Sequence, residues 1–158
     1  AKILAFAMTK ERIRSLAFGT ISQIGIRYRD GPLAQTLPGL PESAPRAGDR
    51  FPWLRLKLSQ DGPVEDLFAK LDDTRFNLIV IGQPAPAAGV TGLADLLRVH
   101  EVVRDPANDR ELARAKVPLP SFYLLRPDGH VALAGPRWET AAAARYLSEQ
   151  LHLESTSV

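Results

Sequence analysis

The chain has 158 residues, 45% of them hydrophobic and 24% charged, a length and balance that fit one globular core plus an arm and leave little room for two cores. It contains no cysteine, which excludes a disulfide framework, a CxxC redox pair, a thiol nucleophile and any cysteine-bearing metal centre. The net charge of +2 conceals a division: residues 1–60 carry ten Lys/Arg against four Asp/Glu, and residues 61–158 carry ten against fourteen.

In chain order, residues 2–17 have helical spacing, with Ile3, Leu4, Phe6, Ile13 and Leu16 on one face and Gly19 as the stop. Residues 23–29 alternate, Ile24, Ile26 and Tyr28 against Gln23, Arg27 and Arg29, as a strand does. Between residues 30 and 50, glycine and proline recur too often for regular structure, so residues 1–50 read as a helix followed by a basic connecting arm. The arginines of this arm are dispersed among prolines and apolar residues, without a block of like charge or a nucleic-acid-binding motif, so the expected partner is protein rather than nucleic acid.

Residues 51–158 form the expected globular domain. Leu54, Leu56 and Leu58 alternate with Arg55 and Lys57 in a strand over 53–58. Asp61-Gly62-Pro63 turns the chain and puts proline at the first position of a helix expected over 64–71. Leu78-Ile79-Val80-Ile81 is an uninterrupted apolar strand, suited to the middle of a sheet covered on both faces. A proline-rich loop leads to a short helix over 92–97, and a strand follows over 99–104. Asp105-Pro106 then caps and opens a helix to residue 115. Strands over 121–126 and 130–134 flank Pro127-Asp128-Gly129 as a hairpin, and Thr140 caps a final helix through Leu151.

This β-α-β-α-β-α-β-β-α order, an α/β class with crossovers first and a hairpin last, resembles thioredoxin-like folds with a central mixed sheet. In such folds the reactive thiols follow the second strand; here that segment runs from Gly82 to Thr91 and holds no thiol. Thr91 reads as a helix cap, and Pro120, just before the hairpin, stands where a cis-proline is expected. His100, His130 and His152 fall in three separate elements with no ligand spacing; His100 reads as a part-buried strand residue and the other two as solvated. Asp72, Asp73, Glu65 and Asp66 read as the wet face and end of a helix, and Trp53 and Trp138 as core or interface groups. No Gly-rich nucleotide loop or nucleophile elbow occurs. Phe76 to Ala94 lacks charge over a membrane-span length, but Gln83, Pro84, Pro86, Gly89 and Gly92 interrupt it, and no targeting signal opens the chain; a cytoplasmic protein is expected.

Three segments, Ile26-Arg27-Tyr28-Arg29-Asp30-Gly31-Pro32-Leu33, Ala47-Gly48-Asp49-Arg50-Phe51-Pro52 and Leu124-Leu125-Arg126-Pro127-Asp128-Gly129-His130-Val131-Ala132, together resemble the C-terminal region of FAD-dependent aromatic-ring monooxygenases. These are the hydroxylases related to phenol and pentachlorophenol hydroxylase, the polyketide hydroxylases among them. The resemblance implies a thioredoxin-like domain without redox cysteines, following flavin-binding and substrate-binding domains. It implies a structural role for Gly48, Asp49, Arg50, Pro127, Asp128 and Gly129, with catalytic, cofactor and metal residues all outside this chain. FAD and NAD(P)H then belong to the parent protein, and the partners are its other domains or a second subunit. A Gly-Asp-x-x-Pro opening also resembles peroxiredoxins, but those require a cysteine near residues 83–91. Two alternatives remain at this stage: a stand-alone, redox-inactive binding or chaperone module, and an enzyme using Thr91 or His100.

Overall fold

The computed structural model describes residues 34–86 and 96–151. The expected helix over 2–17, the strand over 23–29, Thr91, most of the helix over 92–97 and His152 lie outside them. The described part is an α/β domain built on a five-stranded mixed sheet and a separate two-stranded ribbon.

Phe76–Ile81 (β4) is an interior strand of the sheet, and all six of its residues are buried. Such a strand needs a neighbour on each side and a layer on each face. Leu97–Val102 (β5) runs parallel to it on one side, and Ser121–Leu125 (β6) antiparallel on the other. Val131–Gly135 (β7) continues the sheet beyond β6 as the second arm of a hairpin, and Gln35–Thr36 (β1) lies parallel to β7 at the outer edge. The alternation of the strands divides the core in two. Ile79, Ile81, Tyr123 and Leu125 face the ribbon and the helix Pro106–Arg114 (α1), meeting Leu54, Leu56, Leu67 and Leu112. Leu78, Val80, Phe122 and Leu124 face the helix Thr140–Leu151 (α2), meeting Ala143, Tyr146 and Leu147.

The largest departure from expectation lies at residues 64–71. Instead of a helix, Val64–Asp66 (β3) pairs antiparallel with Arg55–Lys57 (β2), and only the short 3-10 helix Phe68–Lys70 follows. Two turns of isolated helix are marginal, whereas pairing satisfies the β2 backbone at once. The Leu67 N–H donates to the Leu54 carbonyl at 3.0 Å, seating Leu67 in the core, and the Asp66 carboxylate accepts from the Phe68 N–H at 2.9 Å. The expected acidic helix face is therefore absent. Asp66 accepts from the first amide of the short helix, Glu65 pairs with Lys70, and Asp72 accepts from the Thr74 backbone and hydroxyl.

Three smaller differences have local causes. Leu97 opens β5 instead of closing a helix. The first bond of α2 runs from Ala143 N–H to the Glu139 carbonyl, so Glu139 takes the cap position and the Thr140 hydroxyl accepts instead from the Trp138 indole. Residues 34–50, expected to be irregular throughout, contribute β1 and bury Leu40, Ala44 and Ala47.

The other edge of β2 carries no strand among the described residues; α1 side chains serve it. Asn108, buried, accepts from Lys57 N–H at 2.8 Å and donates to the carbonyls of Lys57 and Val103, both at 2.9 Å. Asp105 caps α1 through Ala107 N–H and also takes Lys57 Nζ at 3.0 Å, and Glu111 accepts from Arg55 N–H at 3.3 Å. Asn108→Ala strands three part-buried backbone groups, the N–H and carbonyl of Lys57 and the carbonyl of Val103, and a loss of about 2–3 kcal/mol in a urea titration is expected, against under about 0.5 kcal/mol for Arg110→Ala on the exposed side of the same helix.

Candidate functional site

Two sequence motifs, the one beginning at Ala47 and the one beginning at Leu124, meet at one end of the hairpin. The turn itself follows from its residues. Gly129 N–H donates to the Arg126 carbonyl at 2.9 Å and Arg126 N–H to the His130 carbonyl at 2.8 Å, so Pro127 and Asp128 occupy the turn centre and Gly129, at φ +85°, supplies the left-handed residue of a bulge. A side chain at 129 would also press on the Phe68 ring.

Residues 48–51 lie along this turn and the start of β7. Gly48 N–H donates to the Val131 carbonyl at 2.7 Å, Val131 N–H to the Asp49 carbonyl at 2.8 Å, and Phe51 N–H to the Gly129 carbonyl at 3.0 Å. Arg50 and His130 form the antiparallel bridge between them. Gly48 has φ +91°, which glycine adopts without the strain another residue would incur. The Asp49 carboxylate accepts from Arg46 N–H at 3.1 Å, tightening the approach, and the Arg50 guanidinium sits 5.8 Å above the Phe68 ring. Gly48, Asp49, Arg50, Pro127, Asp128 and Gly129 are thus brought together. Pro120 is not among them: its peptide bond with Leu119 is cis, and it lies at the opposite end of β6.

Within the turn, the Asp128 carboxylate holds the Arg126 guanidinium through Nη2 at 2.7 Å and Nε at 3.2 Å, and accepts from the His130 N–H at 3.0 Å. Nδ1 of His130 stands 3.4 Å from the same carboxylate, near enough for charge and dipole attraction but without a well-formed hydrogen bond. His130 is 8% exposed, which corrects its reading as a solvated residue: placed across the hairpin from Arg126, it is drawn under cover with the ion pair. Burial opposes ionisation of Asp128, yet the His130 ring, the Arg126 guanidinium and the His130 N–H together outweigh it and hold the carboxyl far below its ordinary range.

At the far end of β6, Gln83 ties its own loop to the start of β6 and to the connection between β7 and α2. Its amide nitrogen donates to the carbonyls of Ser121 at 3.0 Å and Pro136 at 3.2 Å, and its oxygen accepts from Trp138 N–H at 2.9 Å. This is the described end of the segment where a thiol would stand in a redox-active relative of the expected fold. Nothing in the sequence around Gln83 marked it, since its three partners are backbone groups. Trp138 packs edge-on against Phe122 at 5.2 Å, whereas Trp53 is 56% exposed and not a core residue. His100 is part-buried and bonded through Nε2 to Asn77 Oδ1 at 3.1 Å, as a strand histidine is expected to be; burial, helped by Arg98, lowers its pKa. Among the described residues no group of three His, Asp or Glu side chains is placed to hold a metal ion, and no helix is long and apolar enough to cross a membrane.

A mixed sheet with a hairpin clamped at its turn defines an α/β domain organised around backbone contacts. The chain belongs to the family of aromatic-ring hydroxylase C-terminal domains, whose model matches residues 44–152 and takes in both joined motifs. Solved structures similar to it include a ternary complex of aklavinone-11 hydroxylase with FAD and aklavinone, at 21% identity and TM-score 0.59, over 82% of this chain and 26% of that one. Anhydrotetracycline hydroxylase OxyS from Streptomyces rimosus is similar at 25% identity and TM-score 0.52, over 82% and 24%. The flavin-dependent monooxygenase PieE, in complex with FAD and substrate, is similar at 22% identity and TM-score 0.54, over 82% and 26%. This chain therefore spans about a quarter of the length of those structures. A search of curated protein sequences finds no significant match.

The depressed pKa of Asp128 has a direction in stability. The unfolded carboxyl titrates near about 4, so the contribution of the ionised group is complete above that pH and is lost as the pH falls toward the folded value. Asp128→Asn is expected to cost about 3–5 kcal/mol at neutral pH by removing the carboxylate that Arg126 holds in the turn, and to show a shallower fall in stability between about pH 4 and pH 2 than the wild type. Urea midpoints across that range for both proteins check it; parallel curves would show that Asp128 does not carry the acid sensitivity.

Proposed function

We propose that the chain is the thioredoxin-like C-terminal domain of a flavin-dependent aromatic hydroxylase, serving domain packing or subunit contact in a cytoplasmic monooxygenase and performing no chemistry itself. The observation that carries the reading is the family match over residues 44–152. The sheet supports the finer assignment: the order β7-β6-β4-β5, with β4 and β5 parallel, α1 crossing from β5 to β6, a closing β6–β7 hairpin and α2 behind it, is the arrangement thioredoxin-like domains share. The backbone-directed roles of Gln83, Asp128 and Asn108 support a structural domain, because each is spent on holding the fold. On this reading FAD and NAD(P)H are bound by the flavin and substrate domains of the parent protein.

Titrating the isolated chain with FAD is expected to leave the flavin absorption and fluorescence unchanged, and adding NADPH is expected to produce no oxidation. Saturable flavin binding would overturn the assignment of cofactor chemistry to other domains. In a full-length parent, Asp128→Asn is expected to lower the thermal midpoint while leaving the flavin spectrum of the folded fraction unaltered.

A further inference from the structure

We propose that residues 34–50 are a strap that lifts as a unit from an otherwise intact sheet, with the contact between Gly48-Asp49-Arg50 and the hairpin turn as its clasp and the core-anchored Phe51 as its hinge. Both ends of the segment lie along the outer edge of β7. At the first end Gln35 and Thr36 pair with Leu133 and Ala134, and Leu37 N–H donates to the Ala134 carbonyl at 2.7 Å. At the second end Gly48 N–H donates to the Val131 carbonyl, Val131 N–H to the Asp49 carbonyl, and Arg50 bridges to His130.

Between these ends the segment closes on itself. Ala47 N–H donates to the Thr36 hydroxyl at 3.0 Å, Ala44 N–H to the Pro41 carbonyl at 3.0 Å, and Asp49 and Arg46 exchange two bonds. A loop held by its own contacts keeps them when it moves. The strap's buried apolar side chains are Leu40, Ala44 and Ala47, with Ala34 and Leu37 partly buried, whereas the segment that follows buries Phe51, Leu54 and Leu56. Burial free energy scales with apolar area, and segments with little of it open below the global unfolding transition.

Beneath the strap lies Tyr123, on the face of β6 that meets Phe51, with ring centroids 4.9 Å apart. Its hydroxyl is buried without a well-formed hydrogen bond, with the Ser121 side chain, Arg46 and Asp49 close enough to act on it. A buried hydroxyl without a well-formed hydrogen bond disfavours the closed state, and lifting the strap returns it to water. Opening also bares the β7 edge from Val131 to Ala134. Where flavin and substrate domains precede residue 34, as proposed above, their displacement reaches β1 first; the opening of the strap itself does not rest on that reading.

Hydrogen exchange on the whole chain tests the proposal. The amides of Leu37 and Gly48 are expected to exchange at least about tenfold faster than those of Val80 and Phe122 in the central strands. Gly48→Ala, which strains the clasp at φ +91°, is expected to speed the strap amides by a further factor of about ten while the central amides change less than about twofold. Tyr123→Phe, which removes that hydroxyl without touching the clasp, is expected to slow strap exchange. Equal rates in strap and central strands of the wild type would overturn the proposal, as would Gly48→Ala accelerating both alike. If the alanine variant does not fold, the wild-type rates and Tyr123→Phe decide: unchanged or faster strap exchange in Tyr123→Phe counts against a strained closed state.

Discussion

Every strand in this domain has two rows of backbone hydrogen-bonding groups, and the architecture is organised by where the second row of each outer strand finds partners. β7 is served by β1 and then by residues 48–51, which run in opposite directions along the same edge. β2 is served by β3 on one side and by the side chains of Asn108 and Glu111 on the other. The core then follows: with both elements tied down, Leu54, Leu56 and Leu67 close one face of β4, and α2 closes the other. The positions of the Gly-Asp-Arg and Arg-Pro-Asp-Gly motifs make sense in the same terms. They are the two halves of one edge closure, and their charged side chains fix the geometry of a backbone contact.

Much of this was legible because apolar patterning and turn chemistry act locally. The run Leu78 to Ile81 could only be a strand covered on both faces, and Pro127-Asp128-Gly129 could only be a tight reversal between two apolar segments. The cap at Asp105 with Pro106 behind it was equally plain. The failure at residues 64–71 arose from a genuine conflict. Asp61-Gly62-Pro63 followed by Val64 is as compatible with a helix start as with a hairpin, and the decision was made by the unpaired edge of β2, which no local window contains. Tertiary context overrode a weak preference.

The site was less legible than the fold, for a related reason. Gly48, Asp49 and Arg50 could be marked as structural only through resemblance, since their partners are carbonyls and amides of residues 129–131. Arg126 and His130 carried a usable signal: they flank a tight turn and so must stand opposite one another, with Asp128 between them. Reading His130 as solvated overlooked that a carboxylate holding an arginine on one side recruits the neighbouring ring on the other. Tyr123 gave no sign of its poorly bonded hydroxyl, because a tyrosine in an apolar strand looks like a phenylalanine until its surroundings are known.

Asp105, Asn108 and Glu111 are spaced three apart and share one side of α1, a polar stripe that hydropathy assigns to solvent. All three grip β2 instead. Because Asn108 must present an acceptor and a donor to the same residue, Lys57, the helix has a fixed phase about its own axis, as a key has in a keyed shaft. Asp at that position lacks the donor, leucine lacks both groups, and glutamine overreaches by a methylene. The apolar side of α1, Leu112 included, is thus aimed into the core by the polar side, so one amide sets the angular setting of a whole helix against the sheet.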